Sequence, residues 1–196
     1  ASDLAMHRWL AQKDGPLGFE RQRTLDRQLR EIGRYAVAPI CRHRLLAEHF
    51  GAPYPEENKT TENSEEVGCA ACDVCLGETK GLAEDEALST AQKVLSAAWR
   101  CQGRYGTGYV VDILLGRSDE RIARNGHQSL NVFGLLKPAG EAALRAWIDQ
   151  LIVQGFLEVS DGDYPLLRIT EAGKALCQGQ GTVKLQAVVA RQTRKK

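Results

Sequence analysis

From Phe19 onward Leu25, Leu29, Ile32 and Ala36 recur at i, i+4, i+7 and i+11, the single apolar stripe of an amphipathic helix. Pro39 is expected to stop or restart it. Ile40 to Phe50 then reads as a second helix, closed by Gly51 as a residue suited to a left-handed helix end, so Cys41 should sit near a helix start. The segment APYPEENKTTENSEEVG, 52 to 68, has two prolines, five glutamates and few apolar groups, and reads as a flexible surface loop. GETKGLAEDEA, which follows the cysteine run at 69 to 75, reads as an acidic connector and marks the expected domain boundary. Beyond it, Ser89-Thr90-Ala91-Gln92 has the form of a capping box before a helix that uses Val94, Leu95 and Ala98.

Tyr109 to Leu115 is apolar throughout, and periodicity alone does not separate a buried strand from a buried helix. A short polar helix is expected over Ser118 to Asn125, and a longer one from Pro138 to about Gln154 with a core stripe of Ala142, Leu144, Trp147, Ile148, Leu151 and Ile152. Phe156 to Ser160 and Tyr164 to Ile169 flank Asp161-Gly162-Asp163, the pattern of a β-hairpin. Thr170 is placed to cap a last helix, and from Gly179 the chain reads as a loose basic tail. Helices followed by a hairpin suggest a winged helix, which places one helix on DNA.

Charge sharpens this division. The 196 residues carry a formal net charge of +1, but residues 1–86 hold 11 Lys+Arg against 16 Asp+Glu, whereas 87–196 hold 15 against 9. The second part is the better partner for a polyanion. A run of seven arginines between 21 and 44 makes the first helices basic too, which in isolation reads as a solvated face. There is no apolar stretch of membrane-spanning length and no signal-peptide pattern, so the expectation is a cytoplasmic protein without a membrane partner. The first residue is Ala rather than Met, the expected sign of a fragment or a processed chain.

In such a compartment closely spaced cysteines are more often ligands than crosslinks. Cys69, Cys72 and Cys75 follow C-x2-C-x2-C, so thiolates on one turn can converge on an ion. Tetrahedral zinc needs a fourth ligand. Cys41 leads, with His43 and His49 as local alternatives. A [4Fe-4S] cluster is the chemical rival, although its usual x3-C-P continuation is missing after Cys75. Four thiolates around zinc would leave no open position, and the metal would be structural. Cys101 and Cys177 read as small buried side chains.

Cys41-Arg42, His49-Phe50-Gly51 and Cys69-x-x-Cys72-Asp73-x-Cys75-Leu76 together resemble the zinc-binding subdomain of RecQ-family DNA helicases. Gly106-Thr-Gly-Tyr109-Val-Val-Asp112-Ile-Leu-Leu-Gly116, with Gly126-His127-x-x-Leu130-x-x-Phe133-Gly134, is similar to the winged-helix (RQC) part of the same region. The resemblance covers roughly residues 15 to 180 and implies a mainly α fold: a zinc-bound helical hairpin over 1–86, a winged-helix domain with a small β-hairpin wing over 87–180, and a basic tail over 181–196. It implies a helix at Tyr109, double-stranded or forked DNA as partner, and Tyr164 as a wing residue that stacks on the terminal base pair to part the strands. Phosphate contacts are expected from Arg117, Ser118 and Arg121 at one helix start and from Lys137 at another.

The implied parent is a 3′-to-5′ helicase of DNA repair, recombination and replication, in the cytoplasm and on the nucleoid if bacterial. The loop between Cys41 and Cys69 is longer than expected for compact bacterial members. No G-x-x-x-x-G-K-[ST] phosphate loop occurs, so ATP and Mg²⁺ would belong to in-cis motor domains and this chain alone would not be an enzyme. The alternatives are a freestanding zinc-containing winged-helix transcription regulator and a protein-interaction module.

Overall fold

A computed structural model describes residues 2–13, 15, 17–54, 68–160 and 164–187. The chain divides into two compact units, 1–37 and 38–196. The first unit holds α1 (Ser2–Ala11) and α2 (Phe19–Val37), joined by a hydrogen bond from Gln12 Nε2 to Gln22 Oε1. Of the expected stripe on α2 only Leu29 is buried and Leu25 half-buried; Ile32 and Ala36 are exposed. The helix ends at Val37, two residues before Pro39, because the residue preceding a proline is pushed out of the helical region.

The second unit opens with α3 (Arg42–His49), two residues shorter at its start than expected, with Cys41 at the N-cap position and Gly51 left-handed beyond its end. The expected loop at 52–68 lies outside the described residues over 55–67. α4 (Glu84–Arg100) begins five residues before the expected capping box. Glu84, Asp85 and Glu86 occupy its first turn, where negative charge complements the helix dipole, so the acidic run that reads as connector is a helix start. A boundary after residue 86 therefore falls inside α4, and Thr90 is a buried helical residue rather than a cap.

α5 (Thr107–Leu115) is a helix, and it buries Tyr109, Val110, Val111, Ile113, Leu114 and Leu115 against α4 and α7. Burial on nearly every side is why its sequence shows no period. Gly116 ends it at φ +70°, where a Cβ would stand 3.0 Å from the Gly134 Cα. That close approach lets Gly134 N and Leu136 N donate to the Ile113 and Leu114 carbonyls, which satisfies helix-end groups that would otherwise be unpaired.

α6 (Glu120–Arg124) is capped by Asp119, whose carboxylate accepts from Ile122 N at 2.7 Å. A 3₁₀ turn at Lys137–Ala139 leads into α7 (Gly140–Val153). Here Ala142 is exposed, contrary to the expected stripe, and Ala146 and Gln150 are buried in addition to Leu144, Trp147, Ile148 and Leu151. β1 (Leu157–Val159) and β2 (Leu167–Ile169) pair antiparallel with Leu157 opposite Ile169. β2 is shorter than expected because Pro165 has no N–H to give and Leu166 N turns to the Ser160 hydroxyl oxygen. α8 (Glu171–Cys177) is capped by Thr170, which accepts from Gly173 N as its sequence position suggests.

The segment after α8 is not loose as far as Ala187. Val183 and Leu185 are buried, Leu82 N donates to Leu185 O, and Ala187 N donates to Lys80 O. α7 supplies the rest of the attachment: Trp147 Nε1 donates to Gln186 O, and the side-chain Oε1 of Gln150 accepts from Gln186 N at 2.8 Å. Arg191, Arg194, Lys195 and Lys196 lie outside the described residues. Gln150 is 1% exposed, so Gln150→Ala leaves the Gln186 amide without its acceptor. The expected cost is about 1 to 3 kcal/mol, read as a lower midpoint of urea unfolding.

Candidate metal centre and nucleic-acid interface

The thiol sulfurs of Cys41, Cys69, Cys72 and Cys75 all lie within 4.8 Å of one another. A zinc ion bound at about 2.3 Å to each sulfur would set them about 3.8 Å apart, so the group needs only a slight contraction to close on one ion. A four-iron cuboid would hold its thiolates farther apart than a single ion does. Among the described residues neither His43 nor His49 joins the group, which leaves Cys41 as the fourth member.

Local chain geometry explains the convergence. Cys41 enters from the start of α3, and the other three ride a tight turn in which Ala70 adopts φ +49° and Leu76 N donates to Cys72 O. Arg42 locks the two pieces together: Nε and Nη2 donate to the two Asp73 carboxylate oxygens at 2.9 Å each, and Nη1 donates to Ala38 O. This bidentate contact holds the Asp73 carboxyl below its ordinary range.

Burial raises the Cys41 thiol, yet hydrogen bonds from the Tyr54 hydroxyl and from the Arg44 and Cys69 backbones outweigh it and bring it down to about 6. Cys75 is pushed up to about 12 by burial and by its neighbouring thiols, Cys72 and Cys41 among them. Four sulfurs this close cannot all ionise without a cation between them, and metal capture exchanges the protons they keep for the ion.

Gly68 is the supporting residue that spacing alone does not reveal. A Cβ there would stand 2.0 Å from Cys75 Sγ. Gly68→Ala is therefore expected to push Cys75 off its position and weaken zinc about 10- to 100-fold, as measured by competition with a chromogenic chelator.

The second candidate surface lies around α6. Arg121 is exposed, with its guanidinium carbon 4.9 Å from the Tyr105 ring centroid and 5.2 Å from that of Tyr109. It has no carboxylate partner among the described residues, and neither has the exposed Lys137. Arg117 differs from the expectation. Its Nη1 donates to Glu141 at 2.7 Å and to Asp112 at 3.3 Å, so its charge is already matched. Ser118 differs as well: it does not cap α6, and its hydroxyl donates to Gln128 Oε1. The Asp119 carboxylate at that helix start is the wrong sign for a phosphate. Tyr164 is 86% exposed beside the wing strands, with no ring contact among the described residues. It does not lie against the protein surface as a packing role would require.

Two family models match this chain, "RecQ zinc-binding" over residues 1–76 and "RQC domain" over residues 83–194. The chain belongs to the RecQ family. Among its relatives is a protein named ATP-dependent DNA helicase RecQ from Pasteurella multocida, 31% identical over 81% of this chain and 23% of the relative. A protein of the same name from Haemophilus influenzae is 30% identical over 85% of this chain and 26% of its own length. The Bacillus subtilis protein of that name is 27% identical over 84% and 25%. The RecQ-family chain thus spans about a quarter of the length of these relatives. It is mainly helical, its RQC domain is a winged helix, and the four-cysteine group with the zinc-binding domain supports a structural zinc. Among the described residues no helix is long and apolar enough to cross a membrane.

Proposed function

We propose that this chain is the DNA-gripping, fork-addressing C-terminal region of a RecQ-type 3′-to-5′ DNA helicase that serves repair, recombination and replication. Its motor, with ATP and Mg²⁺, would stand in the same polypeptide. The observation that carries the reading is the exposed Arg121 and Lys137, without a carboxylate partner among the described residues, on a winged helix that also projects an exposed aromatic from its wing. The name of these relatives, ATP-dependent DNA helicase RecQ, agrees with that chemistry.

Cys41, Cys69, Cys72 and Cys75 hold the zinc in this reading. A closed set of four thiolates offers no position for substrate, so the zinc braces the segment before α4 and takes no part in chemistry. The functional division runs between that zinc-bearing part and the winged helix from α4 onward. Arg121 and Lys137 contact backbone phosphates, and Arg117 joins them only by giving up Glu141. Phosphate contacts carry no sequence information and make affinity fall steeply with salt.

The test is fluorescence anisotropy with labelled forked and blunt duplexes of several sequences across a salt series. The expected result is binding that is indifferent to sequence, prefers the fork and weakens as salt rises. One sequence bound about 10³-fold or more tighter than the others would make the chain a transcription regulator instead. Absence of DNA binding at low salt would make it a protein-interaction module.

A further inference from the structure

The arrangement around Arg121 has more parts than a surface arginine needs. Tyr105 and Tyr109 stack with ring centroids 4.0 Å apart and planes 11° from parallel. His127 meets both rings edge-on, at 5.5 and 5.6 Å. The Tyr109 hydroxyl and His127 Nδ1 are 2.8 Å apart, and Asn125 Nδ2 donates to the same hydroxyl while also donating to Arg121 O. Burial raises the Tyr109 phenol and lowers the His127 imidazole, so both are neutral near pH 7 and neither opposes the guanidinium. Tyr105 itself is fixed from the other side, because its carbonyl accepts from Leu167 N at 2.9 Å in wing strand β2.

We propose that Tyr105 is a positioning residue for DNA binding: with Tyr109 it forms an aromatic shelf that holds the Arg121 guanidinium extended toward a backbone phosphate, at a fixed offset from the wing. This rests on the reading of Arg121 as a phosphate contact. A planar guanidinium lying on a ring keeps its N–H edge free for hydrogen bonds, and the stacking restricts a side chain that would otherwise lose its rotamer freedom on binding. The hydrogen bond from Leu167 makes the shelf part of the wing's own support. A phosphate gripped there therefore sets where the duplex end meets Tyr164.

The experiment is a double-mutant cycle on the full chain with a blunt duplex, read as affinity and as the slope of log affinity against log salt. Arg121→Ala is expected to weaken binding about five- to tenfold near 0.1 M salt and to reduce the slope by about 0.9. Tyr105→Leu is expected to weaken binding about two- to fivefold, to add nothing in the Arg121→Ala background, and to be rescued by Tyr105→Phe. Equal loss from Tyr105→Leu in both backgrounds, or no loss with Arg121 present, would overturn the positioning role while leaving Arg121 as a contact. No effect of Arg121→Ala would overturn the contact and the positioning role together. An independent readout on the unsubstituted chain covers the case of an unfolded Tyr105→Leu: the Arg121 Nε–H resonance should be shifted upfield by the rings and move as duplex is added. A resonance at its random-coil position would sink the shelf.

Discussion

Cys69→Ser releases the zinc and unfolds the segment that carries Cys41 and Cys69 to Cys75, while α4, α5 and α7 stay folded. Loss of one thiolate leaves three ligands around an ion whose structural sites are tetrahedral, and in small zinc domains the metal's binding free energy is the folding free energy, about 10 to 16 kcal/mol near neutral pH. Little else holds this segment. Apart from Cys72 its turn buries no side chain, and the Arg42–Asp73 contact is its best-defined link to α3. The winged-helix core takes no buried residue from this segment and is built on fully buried Leu95, Ile113, Leu114, Ile148 and Leu151. The variant is checked by zinc content per chain and by amide exchange across residues 68–78. Cys177→Ser, outside the four-sulfur group, is the control and should keep its metal. Retained zinc with unchanged exchange in Cys69→Ser would remove the site assignment.

Tyr164→Ala leaves duplex affinity almost unchanged and slows unwinding about tenfold when the substitution is placed in a motor-bearing parent. The side chain is 86% exposed, so its removal costs the fold nothing of consequence. Stacking a base on an aromatic ring is worth about 1 to 3 kcal/mol, comparable to the cost of unstacking a step, and that energy is gained only at the opened end of the duplex. An effect confined to strand separation divides binding from unwinding cleanly. Phosphate-contact variants such as Lys137→Ala should weaken both. Single-turnover unwinding of a fork, with duplex affinity measured alongside, separates the two; an unchanged unwinding rate for Tyr164→Ala removes the wing's strand-parting role.

What could be read directly from the chain was what its chemistry keeps local. Three cysteines within seven residues define a turn and a metal without help from elsewhere, and Thr170 caps the residue three positions on. Cys41 was legible because only one intervening loop separates it from its partners. α5 was ambiguous for a physical reason: a helix packed against α4 and α7 and buried on nearly every side shows no period.

The misread residues are those whose partners lie far along the chain. Arg117 is charge-matched by Glu141, 24 positions away, and Ser118 is held by Gln128, 10 away. Neither separation leaves a pattern. Gln150 was hidden inside a helix that reads as apolar, since its partner is the main chain of Gln186 in a segment that composition marks as loose. The acidic residues at 84 to 86 have the composition of a linker and the electrostatics of a helix start, and only the structure separates those two. The tyrosine shelf was invisible for the same reason as the Arg117 pairs: Tyr105 and Arg121 meet across 16 positions.

In the proposed function DNA is gripped by the winged helix, and the zinc shapes the protein without touching DNA. Amide hydrogen exchange on the whole chain, with and without forked duplex, tests it in one measurement. Protection is expected in the α6-to-Lys137 region and along β1 and β2, with Cys69 to Cys75 unaltered. Protection concentrated on Cys69 to Cys75, with none across α6 and the wing, would contradict the account.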